Sequence, residues 1–279
     1  MTASVAGPAT GPLGIVAGSG SLPRQIAERC RATGREVFIL ALEGEADPET
    51  VASAPHAWCR LGAVANALDL LRAHGVGELV LAGAVRRPSL IGLRPDWRAM
   101  KLFAKAGYRA LGDDGLLTAV VGALEEEGFR VVGADQLLEP TALMPEGPLG
   151  AMLPDAEAEL DIAHGLHIVR ALGALDIGQA AVVQQGLVLG VEAIEGTDAL
   201  LQRCAALRRD GPGGVLVKVE KPGQERRADR PVIGPETVAK AAAAGLRGIA
   251  AEAGIVLVVD RDGLVRRADA AGLFVVGVR

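Results

Sequence analysis

Aromatic residues are scarce in this chain of 279 residues: 4 Phe, 2 Trp and 1 Tyr, or 3%. So few rings exclude a surface that holds single-stranded nucleic acid by stacking its bases. A positive balance is missing as well. Lys and Arg number 29 against 34 Asp and Glu, a formal net charge of −5, which removes the basic footprint that duplex nucleic acid requires. No nucleic-acid partner is expected. Cysteine is sparse too: Cys30, Cys59 and Cys204 lie far apart with no C-x-x-C, which excludes a sequence-evident zinc knuckle, speaks against a disulfide framework and fits a reducing compartment. Apolar runs such as Val76–Ala84 and Gly254–Val259 fall far short of the roughly 20 residues of a bilayer span. The opening MTASVAGPATGPLG has no basic segment ahead of an apolar stretch, so a cytoplasmic location is expected.

What is present is apolar and small. Half of the chain is hydrophobic and 37 residues are Gly, a composition that suits short strands packed closely under helices. The length suggests two domains. In the first half apolar runs alternate with amphipathic stretches: strands at Leu13–Ala17, Glu36–Leu42, Glu78–Ala82 and Arg130–Val132, helices at Leu22–Thr33, Val64–His74, Trp97–Leu111 and Leu116–Glu127. That alternation predicts an α/β fold with a parallel, Rossmann-like sheet over residues 1–138. Residues 139–150, EPTALMPEGPLG, are dense in Pro and Gly and read as a linker. The second domain, 151–279, mixes a helix at Asp155–Leu172 with strands at Ala180–Gln184, Leu187–Ala193 and Val215–Val219, a helix at Pro235–Ala244, and strands at Ile255–Val259 and Leu273–Val278. Gln184-Gln185-Gly186 between two apolar runs predicts a hairpin, so this domain is a mixed α/β unit.

Four stretches carry chemistry. In GIVAGSGSLP, residues 14–23, a strand runs through Gly18-Ser19-Gly20 into a helix, a turn that can present backbone N–H groups to an anion. Pro23 fills the third glycine slot of the dinucleotide fingerprint, and Glu43 would suit a ribose contact. From Arg86 to Arg109 the chain is locally basic. Arg94, Arg98, Lys101, Lys105 and Arg109 recur every three or four residues beside Trp97, Met100 and Tyr108, the pattern of a helix that lies on an anionic membrane surface or of an ordinary solvated face. Asp113 and Asp114 open the next helix; one serves as a cap, while Asp113 is a candidate for sugar hydroxyls or a hard cation. The second domain holds the densest polar set: Asp176 to Gln179, Glu192 to Asp198, and Lys218 to Glu225, each at a strand end. Acids that bind Mg²⁺ and lysines that neutralise phosphate point together to phosphoryl chemistry. His164 and His167 share a helix face with Asp161, and no H-E-x-x-H, G-x-S-x-G or Walker A motif occurs.

In order along the chain, GIVAGSGSLP, LAGAVRRP, GDDGLL, LDIGQAAVV, VEAIEGTDAL, VLVKVEKPGQ and PVIGPET resemble the LpxI family of UDP-2,3-diacylglucosamine pyrophosphatases of lipid A biosynthesis. The resemblance implies hydrolysis of the substrate to UMP and 2,3-diacylglucosamine 1-phosphate (lipid X), with Mg²⁺ and water attacking the sugar-side phosphorus. It implies a homodimer whose lipid lies between the two domains, and a use for the Arg94–Arg109 segment at the cytoplasmic face of the inner membrane. It also implies substrate contacts at Gly18, Ser19, Gly83, Arg87 and Asp113 and at Gln179, Thr197, Lys218 and Gln224. Glu195, Asp198 and Glu225 become the acids for Mg²⁺ or water, and Lys218 and Lys221 the stabilisers of transition-state charge. After KPGQ the family usually has Asp, where this chain has Glu225. Two other functions stand beside this one: an NAD(P)-dependent oxidoreductase, on the Gly18–Gly20 turn and Glu43, and a lipid or nucleotide-sugar carrier without turnover, on the Glu225 departure.

Overall fold

The strand and helix alternation of the first half resolves into five strands, β1 (Leu13–Ala17), β2 (Val37–Leu42), β3 (His56–Cys59), β4 (Glu78–Ala82) and β5 (Arg130–Val131). The computed structural model describes residues 11–86, 93–106 and 113–279. All described pairings in this sheet are parallel, in the order β3-β2-β1-β4-β5, a doubly wound arrangement whose direction reverses between β1 and β4. Helices α1 (Leu22–Ala32), α2 (Pro48–Val51), α3 (Val64–Ala73), α4 (Trp97–Ala106) and α5 (Asp113–Glu126) connect the strands. α1 buries Leu22, Ile26, Ala27 and Cys30, one stripe at helical spacing, and Pro23 sits in its first turn, where its missing N–H is not needed. One carboxylate serves two helices: Asp96 accepts from Ala65 N–H in the first turn of α3 at 2.6 Å and from Ala99 N–H in the first turn of α4 at 2.8 Å. β3 and α2 are short elements that apolar periodicity does not reveal, because HAWC leaves Trp58 43% exposed on an edge strand. The basic stretch forms α4 as expected through Ala106, while residues 107–112, with Tyr108 and Arg109, lie outside the described residues.

The chain divides into two compact units, residues up to 138 together with Glu225–Asp229, and Glu139–Gln224 together with Arg230–Arg279. The second unit is built on six strands in the order β6-β13-β11-β9-β7-β8. They are β6 (Gly147–Pro148), β7 (Ala180–Gln184), β8 (Leu187–Val191), β9 (Val215–Lys218), β11 (Gly248–Glu252) and β13 (Phe274–Val278), with β10 (Val232–Ile233) and β12 (Leu257–Val258) paired apart. β9, β11 and β13 are parallel, whereas β6, β7 and β8 each run against the neighbour that precedes them toward the centre, which makes the sheet mixed. The Pro- and Gly-dense residues 139–150 contribute β6 and the buried Met144 to this unit.

Strand alternation separates two cores. On one face Val182, Leu216, Ile249 and Val275 meet Leu200, Leu201 and Cys204 of α7 (Gly196–Ala205), Val238 and Ala241 of α8 (Pro235–Ala243), and Leu264 and Ala268 of α9 (Arg261–Ala271). On the other, Ala181, Val217, Ala250 and Phe274 meet Ala158, Ile162 and Val169 of α6 (Ala156–Ala174). Burying a side chain such as Leu200 or Leu201 contributes about 1.5–3 kcal/mol. The predicted hairpin forms with Gln185 and Gly186 both at positive φ, and the buried carboxylate of Asp161 on α6 accepts their N–H groups at 3.0 and 2.7 Å. Asp161 is therefore a turn anchor, not a partner of His164 and His167. α7, α9 and β11 depart from the sequence expectation. GIAAE of β11 has little intrinsic strand preference and is recruited by its neighbours β9 and β13. All three cysteines are free and buried, and burial pushes each thiol above its ordinary value. Among the described residues no helix is long and apolar enough to cross a membrane.

Candidate active site

Two strand-end regions hold the expected site residues. In the first unit Gly18 and Ser19 follow β1, and Gly83 and Ala84 follow β4. Gly18 N–H donates to Ala82 O at 2.9 Å, Ser19 N–H to Ala84 O at 2.8 Å, and Ala84 N–H returns to Ser19 O at 3.0 Å, so the two loops are laced across the point where the winding reverses. Gly83 is required here: its φ is +90°, and a Cβ would lie 2.6 Å from Ser19 O. Gly20 N–H donates to the Asp47 carboxylate at 2.6 Å. The Gly18, Ser19 and Gly20 N–H groups are thus all engaged within the protein. Ser19 Oγ donates to Ala84 O at 3.0 Å and keeps its own lone pairs for a ligand. Arg87 lies outside the described residues, and Asp113 is the first residue of α5.

The second unit brings its expected residues together at the carboxyl end of β9. Antiparallel β7 begins there and β8 ends there, since Ala180 pairs with Lys218 and Ala181 with Val191. The result is a continuous chain of hydrogen bonds. Asp176 holds Lys221 Nζ at 2.7 Å; Lys221 N–H donates to Gln224 Oε1 at 3.0 Å; Gln224 Nε2 donates to Gln179 Oε1 at 3.4 Å. Gln179 N–H donates to Glu192 Oε2 at 3.3 Å, Thr197 Oγ1 donates to Glu192 Oε1 at 2.8 Å, and Lys218 Nζ donates to Thr197 Oγ1 at 2.9 Å and to Val232 O at 3.2 Å. Glu192, Lys218, Lys221 and Gln224 are buried, with only 6–7% of each exposed.

This geometry has chemical consequences. The Thr197 hydroxyl has one proton, and the Glu192 carboxylate takes it, so its lone pairs face the Lys218 ammonium. Lys218 has three donors, of which two find neutral oxygens among the described residues. A buried ammonium held by neutral oxygens is suited to an incoming anion, which would supply the missing countercharge. Thr197 lies in the first turn of α7, whose N–H groups favour negative charge in the same place. Sequence patterning places EGTDAL at a strand-end turn; it is the head of α7 instead, because Leu200, Leu201 and Cys204 fall on one buried helical face.

The expected metal acids are arranged otherwise. Asp198 is exposed on α7 and pairs with Lys240; Glu195 pairs with Arg203 at 2.8 Å. Burial pushes Glu195 up, but the Arg203 guanidinium and the local backbone N–H groups outweigh it and leave the carboxyl below its usual range. Glu225 belongs with the first unit, where both its oxygens are gripped by Arg227 at 2.9 and 2.8 Å, and that guanidinium holds its carboxyl low. Among the described residues no group of three or more His, Cys, Asp or Glu is placed to hold a metal ion. Each of the three acids is paired with a cation of the chain, Glu195 with Arg203, Asp198 with Lys240 and Glu225 with Arg227. Asp176 and Glu192 lie in the polar strand-end runs expected from the sequence, but without a role assigned to either. Their signal is faint in sequence, since each is one acid in a polar strand-end run whose contacts come only from folding.

The LpxI N-terminal domain model matches residues 12–141 and the LpxI C-terminal domain model residues 145–276. The chain belongs to the LpxI family. Over 273 residues it is 44% identical to UDP-2,3-diacylglucosamine pyrophosphatase LpxI of Caulobacter vibrioides, covering 95% of this chain and 97% of that one. Solved structures with lower similarity include CobK precorrin-6A reductase (14% identity, TM-score 0.32, 96% of this chain and 87% of that one). The UDP-glucose 4-epimerase of Thermus thermophilus, in complex with NAD, gives 14% identity, TM-score 0.32, 96% of this chain and 85% of that one. The strand order β3-β2-β1-β4-β5 itself defines the doubly wound sheet of the first unit. The network around Lys218 and Lys221 lies wholly within the LpxI C-terminal domain.

Proposed function

We propose that this LpxI-family protein hydrolyses the pyrophosphate of UDP-2,3-diacylglucosamine in lipid A biosynthesis. The observation that carries the reading is the pair of buried lysines, Lys218 and Lys221, set in one hydrogen-bonded network at the carboxyl end of β9. Water attacks the sugar-side phosphorus, the bond from that phosphorus to the bridging oxygen breaks, and UMP leaves with the bridging oxygen. Lipid X takes the water oxygen. Lys218 presents its remaining N–H to the phosphate oxygens, and Lys221 adds a second positive charge, so charge that develops in the transition state meets preset donors. Gln179, Gln224 and Thr197 orient the phosphates and sugar, and Gly18, Ser19, Gly83, Arg87 and Asp113 are assigned as substrate contacts of the first unit. Glu225 is assigned to orient the water, its Arg227 partner keeping it ionised, with Asp198 and Glu195 as the acids that a Mg²⁺ ion would engage after leaving their present cations. Incubation with the substrate in ¹⁸O-labelled water, with Mg²⁺ or with EDTA, tests the reading: UMP release with label in lipid X is expected. Label in UMP would overturn the attack site, and tight lipid binding without turnover would establish a carrier.

The proposal includes contact between α4 and an anionic membrane surface. Trp97 and Met100 are 66% and 57% exposed on this helix, next to exposed Lys101, while Arg98 stacks over Trp97 and pairs with Glu127 at 2.9 Å. Replacement of Arg98, Lys101 and Lys105 by Gln should abolish flotation with vesicles rich in anionic lipid; unchanged flotation removes this contact.

A further inference from the structure

Asp176 occupies a backbone position where glycine is the easy residue. It follows Leu175 at the end of α6 with φ +54°, in the left-handed region. Its N–H donates to Gly173 O at 3.0 Å and the next N–H, of Ile177, to Leu172 O at 3.1 Å, the paired bonds that close a helix when the residue after its end turns left-handed. Glycine takes that conformation without strain, whereas a residue with a Cβ does not. A carboxylate here therefore calls for a reason outside the helix end.

The surroundings supply one. Asp176 Oδ1 lies 2.7 Å from Lys221 Nζ, and the Lys221 side chain is only 7% exposed. The approach is built in from both sides. A Cβ on Gly173 would lie 3.0 Å from Pro222 Cδ and 3.4 Å from Lys221 Cα, so the last turn of α6 rests directly against the lysine turn. A Cβ on Gly178 would lie 2.0 Å from Glu192 O, so the segment that follows Asp176 is pressed on the end of β8. The carboxyl end of α6 also presents its partial negative charge toward the same ammonium. On the reading given under Proposed function, we infer that Asp176 is the positioning residue of the active site: it fixes the Lys221 ammonium in the direction from which it meets the pyrophosphate, without touching substrate itself.

The backbone gives a clean test, because Asp176→Gly and Asp176→Asn both tolerate the left-handed conformation and keep the fold. Steady-state rates with UDP-2,3-diacylglucosamine should show kcat lowered about tenfold or more in each variant, with KM within about threefold of wild type, because a group that aims a transition-state contact acts on kcat. In the Lys221→Ala background Asp176→Asn should bring no further loss, since the group it positions is gone. Melting temperatures report folding: in Asp176→Gly the relief of left-handed strain opposes the loss of the Lys221 partner, and a cooperative transition is expected in both variants. Wild-type kcat in a folded Asp176→Asn protein, with Lys221→Ala crippled, overturns the inference alone. So does a loss that adds in full to that of Lys221→Ala, which marks a structural role. A wild-type protein with no turnover overturns the underlying reading, and this positioning role with it.

Discussion

The carboxyl ends of the two sheets invite comparison, because parallel strands present their loops there in both units. In the first unit the loops after β1 and β4 are closed on each other by backbone bonds from Gly18 to Ala82 and between Ser19 and Ala84. In the second, the loops around β9 enclose two ammonium groups, two carboxylates and three uncharged polar side chains. Topology therefore supplies a place, and side chains decide whether it can do chemistry. Burying Lys218, Lys221 and Glu192 works against stability unless each is hydrogen bonded, so their presence in an otherwise apolar unit marks a site kept for a charged ligand.

The largest effects are expected at the lysines. Lys218→Ala and Lys221→Ala should each lose about 10²–10³ in kcat, the scale of removing one preset transition-state donor, while the proteins stay folded by circular dichroism. A loss confined to KM would mean that the pocket binds phosphate without serving the transition state. Next in size is Gly83→Ala. Its Cβ meets the backbone oxygen of Ser19, which no rotamer change relieves, so destabilisation of about 2–4 kcal/mol is expected in thermal or denaturant unfolding. An unchanged melting temperature would show that the lacing of the first unit is dispensable.

The smallest effect sharpens the contrast between buried and exposed charge. Glu127 is held below its usual range by the Arg72 guanidinium, with Arg98 adding to it, yet its side chain is 35% exposed. A depressed carboxyl contributes stability that is fully present above the unfolded value of about 4.3 and is lost as pH falls through the lower folded value. Glu127→Gln should thus reduce stability at pH 7 by no more than about 1 kcal/mol, discounted for solvent screening. The gap between variant and wild type should shrink in urea titrations near pH 3; a constant gap would assign the effect to packing.

Much of this architecture is legible in the chain. β1, β4, α1 and α3 declare themselves because one apolar stripe or run coincides with the buried face, and the strand–helix rhythm fixes the sheet as parallel. β11 escapes notice because Gly248-Ile249-Ala250-Ala251 owes its extended form to two neighbours, and α7 because its polar first turn hides the helix behind it. The candidate site divides in the same way. KPGQ and EGTD stand out as polar interruptions between apolar strands. The link from Asp176 to Lys221 spans 45 residues and depends on a helix end meeting a turn, a relation that no local pattern encodes.

The placement of the thiols gives this protein an internal clock of opening. Cys30 and Cys59 lie buried in the first unit and Cys204 in the second, under the core of α7. Thiolate is the reactive form, and burial both hides these sulfurs and disfavours their ionisation. Alkylation followed peptide by peptide therefore times how often each unit loosens. Without any engineered label, that timing would tell whether substrate binding quiets one unit alone or both together.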